Sequence, residues 1–207
     1  MGNKEPISIL KIGGNIIDNP SELKQFLSDF SKIEGYYVEN PHNHVILGSR
    51  IIKGQYDTIT SNHISDILFQ FKEPLLFNYK TNKEIYRLTI SQSFTGYAII
   101  IIEKKNLEYF IKWKTLSFNE ELKPNKFSDL KSKKISSKDW NELTQKLQKI
   151  NFWKIYPNNN LHGNDGVTYS LEGLKNGNYY AVQYLAPKRK EIEFDNLCEY
   201  IISLTDL

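Results

Sequence analysis

A chain of 207 residues with 27 Lys+Arg against 24 Asp+Glu carries a net charge of only +3. With 40% hydrophobic and 25% charged residues it has the balance of an ordinary folded domain, which excludes a disordered or collagen-like chain. The length suits one large domain or two small ones, and no apolar run reaches the roughly 18–20 residues that a membrane helix needs.

The first element in chain order is a short apolar run, Ile7 to Ile12, that ends in Gly13-Gly14. It reads as a buried strand entering a glycine turn. Asn19, Pro20 and Glu22 then supply an N-cap, a first-turn proline and a capping acid. Leu23, Phe26, Leu27 and Phe30 follow at i, i+3, i+4, i+7, one face of an amphipathic helix that Gly35 should end. Between residues 36 and 84 the pattern is weaker. Val45 to Leu47 and Ile67 to Phe71 read as short strands among turn residues.

From residue 85 the elements are clearer. Ile85 to Gln92, Tyr97 to Glu103 and Leu107 to Leu116 read as three strands with short connections, hence an antiparallel meander. Glu120 to Lys134 is charged, holds Pro124 and shows no period, so it reads as a loop. Ser136 or Ser137 caps a helix with Trp140, Leu143, Leu147 and Ile150 on one face, and Phe152 and Trp153 end it in apolar bulk. Val167 to Glu172 and Tyr179 to Leu185 are a hairpin around Asn176-Gly177. Phe194, Leu197, Cys198, Ile201 and Ile202 mark a closing helix. The expected fold is α+β: an antiparallel sheet in the order βββ-α-ββ-α, covered by helices, with an N-terminal strand-turn-helix extension. Residues 1–84 form an N-terminal subdomain in this reading, and residues 85–207 the α+β domain.

The run Ile9-Leu10-Lys11-Ile12-Gly13-Gly14-Asn15-Ile16-Ile17-Asp18, with the helix face that follows, resembles the opening of acetylglutamate kinases, in the amino-acid kinase family. The resemblance spans residues 7–35. It implies ATP and Mg as cofactors, Lys11 as the electrostatic catalyst, and Gly13, Gly14 and Asn15 as the phosphate-binding turn. Backbone N–H groups in a glycine turn suit phosphate, and a lysine stabilises charge on the transferred group. The family continues with a His-Gly-Gly-Gly-like turn, but this chain reads Tyr36-Tyr37-Val38-Glu39-Asn40-Pro41-His42-Asn43-His44. That family's fold is a large α/β sandwich with a mostly parallel sheet. Residues 139–204, with Asp165-Gly166, Leu171-Glu172, Gly177-Asn178-Tyr179 and Pro187, resemble a pattern in a family of uncharacterised bacterial proteins, which implies no activity.

Other residue sets point less far. His42 and His44 could share a strand face, with His63 and Asp57 or Asp66 as third and fourth ligands, but histidines in an Asn-rich loop are the better reading, so no metal is expected. Cys198, the only cysteine, sits on an apolar helix face and excludes an intramolecular disulfide. The basic stretch from Lys123 to Lys138 is interleaved with Ser, Asp and Pro and almost free of Arg, so it reads as a solvated segment rather than a nucleic-acid surface. The sequence begins without an apolar leader, which gives a cytoplasmic expectation.

No complete catalytic set emerges. The leading expectation is a bacterial non-enzymatic protein that binds an unidentified protein partner through an aromatic-rich sheet or groove, without a cofactor. A kinase-like phosphoryl-transfer enzyme is the second expectation, and a small-ligand or sugar-binding module the third. Thirteen Tyr and eleven Phe supply the aromatic surface. The candidate contact residues are Trp113, Trp153, Asp165, Glu172, Tyr180 and Tyr184, with Asp165, Glu172 and Tyr180 expected in one groove.

Overall fold

The computed structural model describes residues 10–12, 15–17, 50–51, 55–56, 58–74, 76, 79–155, 166–185 and 192–207. Its centre is a seven-stranded antiparallel sheet. Strands β5 (Glu84–Gln92), β6 (Gly96–Lys105) and β7 (Glu108–Phe118) form the expected meander. The hairpin of β10 (Val167–Lys175) and β11 (Asn178–Leu185) adds beside β5, giving the order β11-β10-β5-β6-β7. Asn176 and Gly177 both take positive φ, 52° and 75°, which is the turn that matches the twist of a two-residue hairpin.

The far edge of β7 is shared by two short strands. β8 (Pro124–Phe127) pairs near Leu116, and β9 (Lys131–Lys134) pairs with Phe110 to Trp113. The loop expected over residues 120–134 is therefore largely strand. Every residue of β8 and β9 is exposed, so neither had a buried face to impose alternation. Backbone pairing defines them, and their lysines suit an edge that must not recruit another strand.

Helix α1 (Thr58–Phe71) replaces the strand expected at Ile67 to Phe71. Ile64, Ile67, Leu68 and Phe71 lie at i, i+3, i+4, i+7 and pack on Ile99, Ile101 and Leu116 of the sheet. Helix α2 (Ser137–Lys149) and helix α3 (Ile192–Ser203) cover the opposite face. The start of α2 is a capping box. The Asp139 amide donates to Ser136 Oγ (3.1 Å), and the Ser136 amide donates to the Asp139 carboxylate (3.0 Å). Trp140, Leu143, Leu147, Phe194, Leu197, Cys198 and Ile201 form the buried side of these helices. With helices on both faces, β6 is apolar on both, and Ile99, Ile100, Ile101 and Ile102 are all buried. The α+β antiparallel architecture holds, as a sheet between two helical layers.

Ahead of α1, β1 (Leu10–Ile12) and β2 (Asn15–Ile17) pair antiparallel as a separate two-stranded unit, as do β3 (Arg50–Ile51) and β4 (Gln55–Tyr56). The helix expected after Pro20 and the strand expected at Val45 to Leu47 lie outside the described residues. Among the described residues, no helix is long and apolar enough to cross a membrane.

Candidate functional site

The hairpin and the end of α2 enclose a cleft of about 710 Å³, inside the roughly 300–1,000 Å³ range of small-molecule sites. Its aromatic wall begins where α2 stops. Asn151 adopts left-handed geometry (φ 53°) and turns the chain into a single 3₁₀ turn, Phe152–Lys154. That turn drives Phe152 into the core and leaves Trp153 half-buried at the cleft. The Phe152 ring lies edge-on to Trp153 (5.2 Å) and to Tyr180 (5.6 Å), and Tyr86 stands 6.5 Å from Trp153. Gly173 makes this packing possible, because a Cβ there would sit 2.6 Å from the Phe152 ring. The Tyr180 hydroxyl donates to the Ile155 carbonyl and ties β11 to the 3₁₀ turn.

The rim is polar. Gln148 and Asn151 come from the end of α2, and Asn176 and Asn178 from the hairpin turn, all with exposed side chains. Among the described residues the one charged side chain lining the cleft, Lys175, is paired with Glu84 at 2.9 Å. Glu84 also accepts from the Tyr86 hydroxyl at 2.8 Å. Burial, then the Glu84 charge and this hydrogen bond, push the Tyr86 phenol well above its ordinary range, so it stays protonated.

The expected contact residues divide between places. Trp153 and Tyr180 meet in the cleft. Tyr184 is on the same face of β11 but buried against Phe194, with ring centres 4.5 Å apart. Trp113 is also on that face, buried under β9 with Lys133 over its ring at 5.8 Å, and does not line the cleft. Asp165 lies outside the described residues. Glu172 points to the opposite face, so the expected groove shared by Glu172 and Tyr180 does not form.

Glu172 instead anchors the α1 face. Arg87, 1% exposed, donates to Glu172, 2% exposed, through Nε (2.7 Å) and Nη2 (2.9 Å). Arg87 Nη1 donates to the Pro74 carbonyl (2.6 Å), and the Tyr179 hydroxyl donates to Glu172 (2.8 Å). Burial alone would favour a neutral Arg87, but the Glu172 charge and hydrogen bonds outweigh it and hold the proton more firmly. Burial, then Glu172, raise the Tyr179 phenol well above its ordinary range. These four groups satisfy one another and read as a structural network.

Lys11 and Asn15 lie in the β1–β2 pair, where Lys11 is opposite Ile16 and Asn15 opposite Ile12. Gly13 and Gly14 lie outside the described residues, as do His42 and His44. Cys198 is fully buried, and burial, then Asp195 and Glu199, raise its thiol well above the ordinary range. Among the described residues no three His, Cys, Asp or Glu side chains converge as metal ligands would.

No family model matches the chain. A 33-residue segment is 54% identical to acetylglutamate kinase of Phocaeicola vulgatus. The match covers 16% of this chain and 13% of that enzyme, so the resemblance seen at residues 7–35 holds as a short partial one. It does not extend to the sheet or the cleft.

Sequence reasoning missed Tyr86, Phe152, Gln148, Asn151, Asn176 and Asn178 as parts of one site. Asn176 carried a signal, but it was that of a turn. The rest are brought together only when α2 packs beside the hairpin.

Proposed function

We propose that the chain is a binding protein, with the cleft between the end of α2 and the β10–β11 hairpin as its site for a small uncharged ligand. One observation carries the reading: an aromatic wall and an amide rim converge on a cleft where Lys175, the one charge among the described lining residues, is paired with Glu84. Among the described lining residues there is no carboxylate, imidazole or thiol, and the Tyr86 phenol is held protonated. The lining favours a small molecule over a protein partner. Tyr184 is buried and Tyr179 and Tyr180 are half-buried, so β11 offers little free aromatic surface to a partner. Amide chemical-shift mapping with a small-molecule fragment library tests the reading. Shifts that cluster on Asn151, Trp153, Asn176 and Tyr180 support it; shifts that cluster elsewhere overturn it.

The kinase match favours a second reading, phosphoryl transfer by the N-terminal segment with Lys11 as the electrostatic catalyst and Gly13, Gly14 and Asn15 around the phosphate. The antiparallel β1–β2 pairing counts against it, since the resemblance implies a strand in a mostly parallel sheet. A thermal shift with millimolar Mg-ATP that Lys11→Ala abolishes would support this reading, and no shift would remove it.

A further inference from the structure

The chemistry around the cleft narrows the ligand class, an inference that rests on the cleft being the binding site. An anion is disfavoured. The helix end facing the cleft is the C-terminus of α2, where the unpaired carbonyls carry partial negative charge. Lys175, the one charged side chain among the described lining residues, is engaged by Glu84 at 2.9 Å. A cation is disfavoured too, because Glu84 is the nearby carboxylate and already takes Lys175 and the Tyr86 hydroxyl. A wholly apolar ligand would strip water from the rim amides and return no hydrogen bond.

What fits is a neutral molecule with an apolar face and a hydroxylated edge. The side chains of Gln148, Asn151, Asn176 and Asn178 are exposed. Each amide offers both donors and an acceptor, and a sugar hydroxyl likewise donates and accepts. Trp153 and Tyr180 supply apolar ring surface beside them, held by Phe152. We propose that the cleft binds a neutral saccharide, with a sugar ring stacked on Trp153 and Tyr180 and its hydroxyls on Asn151, Asn176 and Asn178.

The test titrates the full chain with cellobiose, maltotriose, chitobiose and xylobiose as neutral probes, digalacturonic acid as a charged one, and indole and a capped tripeptide as non-sugar ones. Tryptophan fluorescence and amide shifts are read together. At least one neutral saccharide should quench saturably and shift Asn176 and Asn178. Trp153→Ala should weaken that binding roughly tenfold, while Trp153→Phe should keep part of it. A melting curve checks that each variant folds. If no neutral saccharide binds but indole or the tripeptide shifts the same residues, the saccharide assignment is overturned and the cleft reading stands. If no probe perturbs the cleft, both are overturned.

Discussion

The two faces of the sheet solve burial differently. On the α2–α3 face the interior is apolar and aromatic, and a glycine is used where a phenylalanine ring needs room. On the α1 face, Ile85 of β5 and Leu174 of β10 join the apolar packing of β6 and β7, but β5 and β10 also contribute Arg87, Thr89, Ser170 and Glu172, all buried. These polar residues lie in two adjacent register rows. Arg87 is opposite Glu172, and Thr89 is opposite Ser170, which is opposite Gln183. The first row is satisfied by its own ion pair. The second makes no side-chain hydrogen bonds from Thr89 Oγ1, Ser170 Oγ or Gln183 Oε1. The cleft borders the aromatic face, whose rings pack on one another, and Tyr179, which also lines it, donates to Glu172 of the charged network on the other face.

The largest expected effect tests that division. Arg87→Ala leaves Glu172 buried without its partner and should cost about 3–5 kcal/mol in urea unfolding. The double variant Arg87→Met, Glu172→Leu removes both charges and should recover most of that loss, which would assign the pair to structure. A cost near zero for Arg87→Ala would break the comparison. On the other face, Gly173→Ala pushes a methyl into the Phe152 ring and should cost about 1–3 kcal/mol while displacing Trp153. If Gly173→Ala were neutral, the aromatic wall would be softer than its packing implies. Thr89→Val gives a smaller effect of opposite sign. It replaces an unpartnered hydroxyl with a methyl of the same shape, so stability should rise by up to about 1 kcal/mol. A loss would mean that the hydroxyl is hydrogen-bonded to water.

What the sequence revealed follows the same division. Helices α2 and α3 each have one buried side, which writes a period into the residues, whereas β5, β6 and β10 are buried on both faces and were legible as apolar runs between turns. Helix α1 carried its period as well, in Ile64, Ile67, Leu68 and Phe71, but Thr, Asn and β-branched neighbours masked it and the last turn resembled a strand. β8 and β9 wrote no period because every residue in them stays exposed, even Phe127, whose ring touches Phe71. Trp153 and Tyr180 were each named as candidate contacts, though not as a pair, and Glu172 was placed in one groove with Tyr180, whereas the two face opposite sides of the sheet. The hairpin already held the correction. A two-residue turn at Asn176-Gly177 sets Lys175 opposite Asn178 and hence Gly173 opposite Tyr180, so residue 172 must face away. The rim amides had no such signal, since α2 and the hairpin are neighbours only in the packed structure.

The smallest expected effect concerns how α2, which contributes Thr144, Leu147 and Gln148 to the cleft, is held at its start. The Ser136 hydroxyl donates to the Asp139 carboxylate (2.6 Å) as the Ser136 amide does (3.0 Å), and these bonds hold the Asp139 pKa below its ordinary value of 3.8. Between the lowered value and 3.8 the unfolded chain binds more protons than the folded one, so stability rises with pH across that window. The contribution is fully present above pH 4 or so and is lost as pH falls through the folded value. Asp139 is largely solvated, which keeps the effect small. Ser136→Ala should cost about 1 kcal/mol near neutral pH. Asp139→Asn should unfold with a flatter acid limb than the parent chain. Measuring both chains from pH 6 to pH 3 isolates the term, because every other carboxylate cancels in the difference. If the two acid limbs are parallel, the capping box adds nothing charge-dependent, and packing against α3 and the sheet alone holds α2 beside the hairpin.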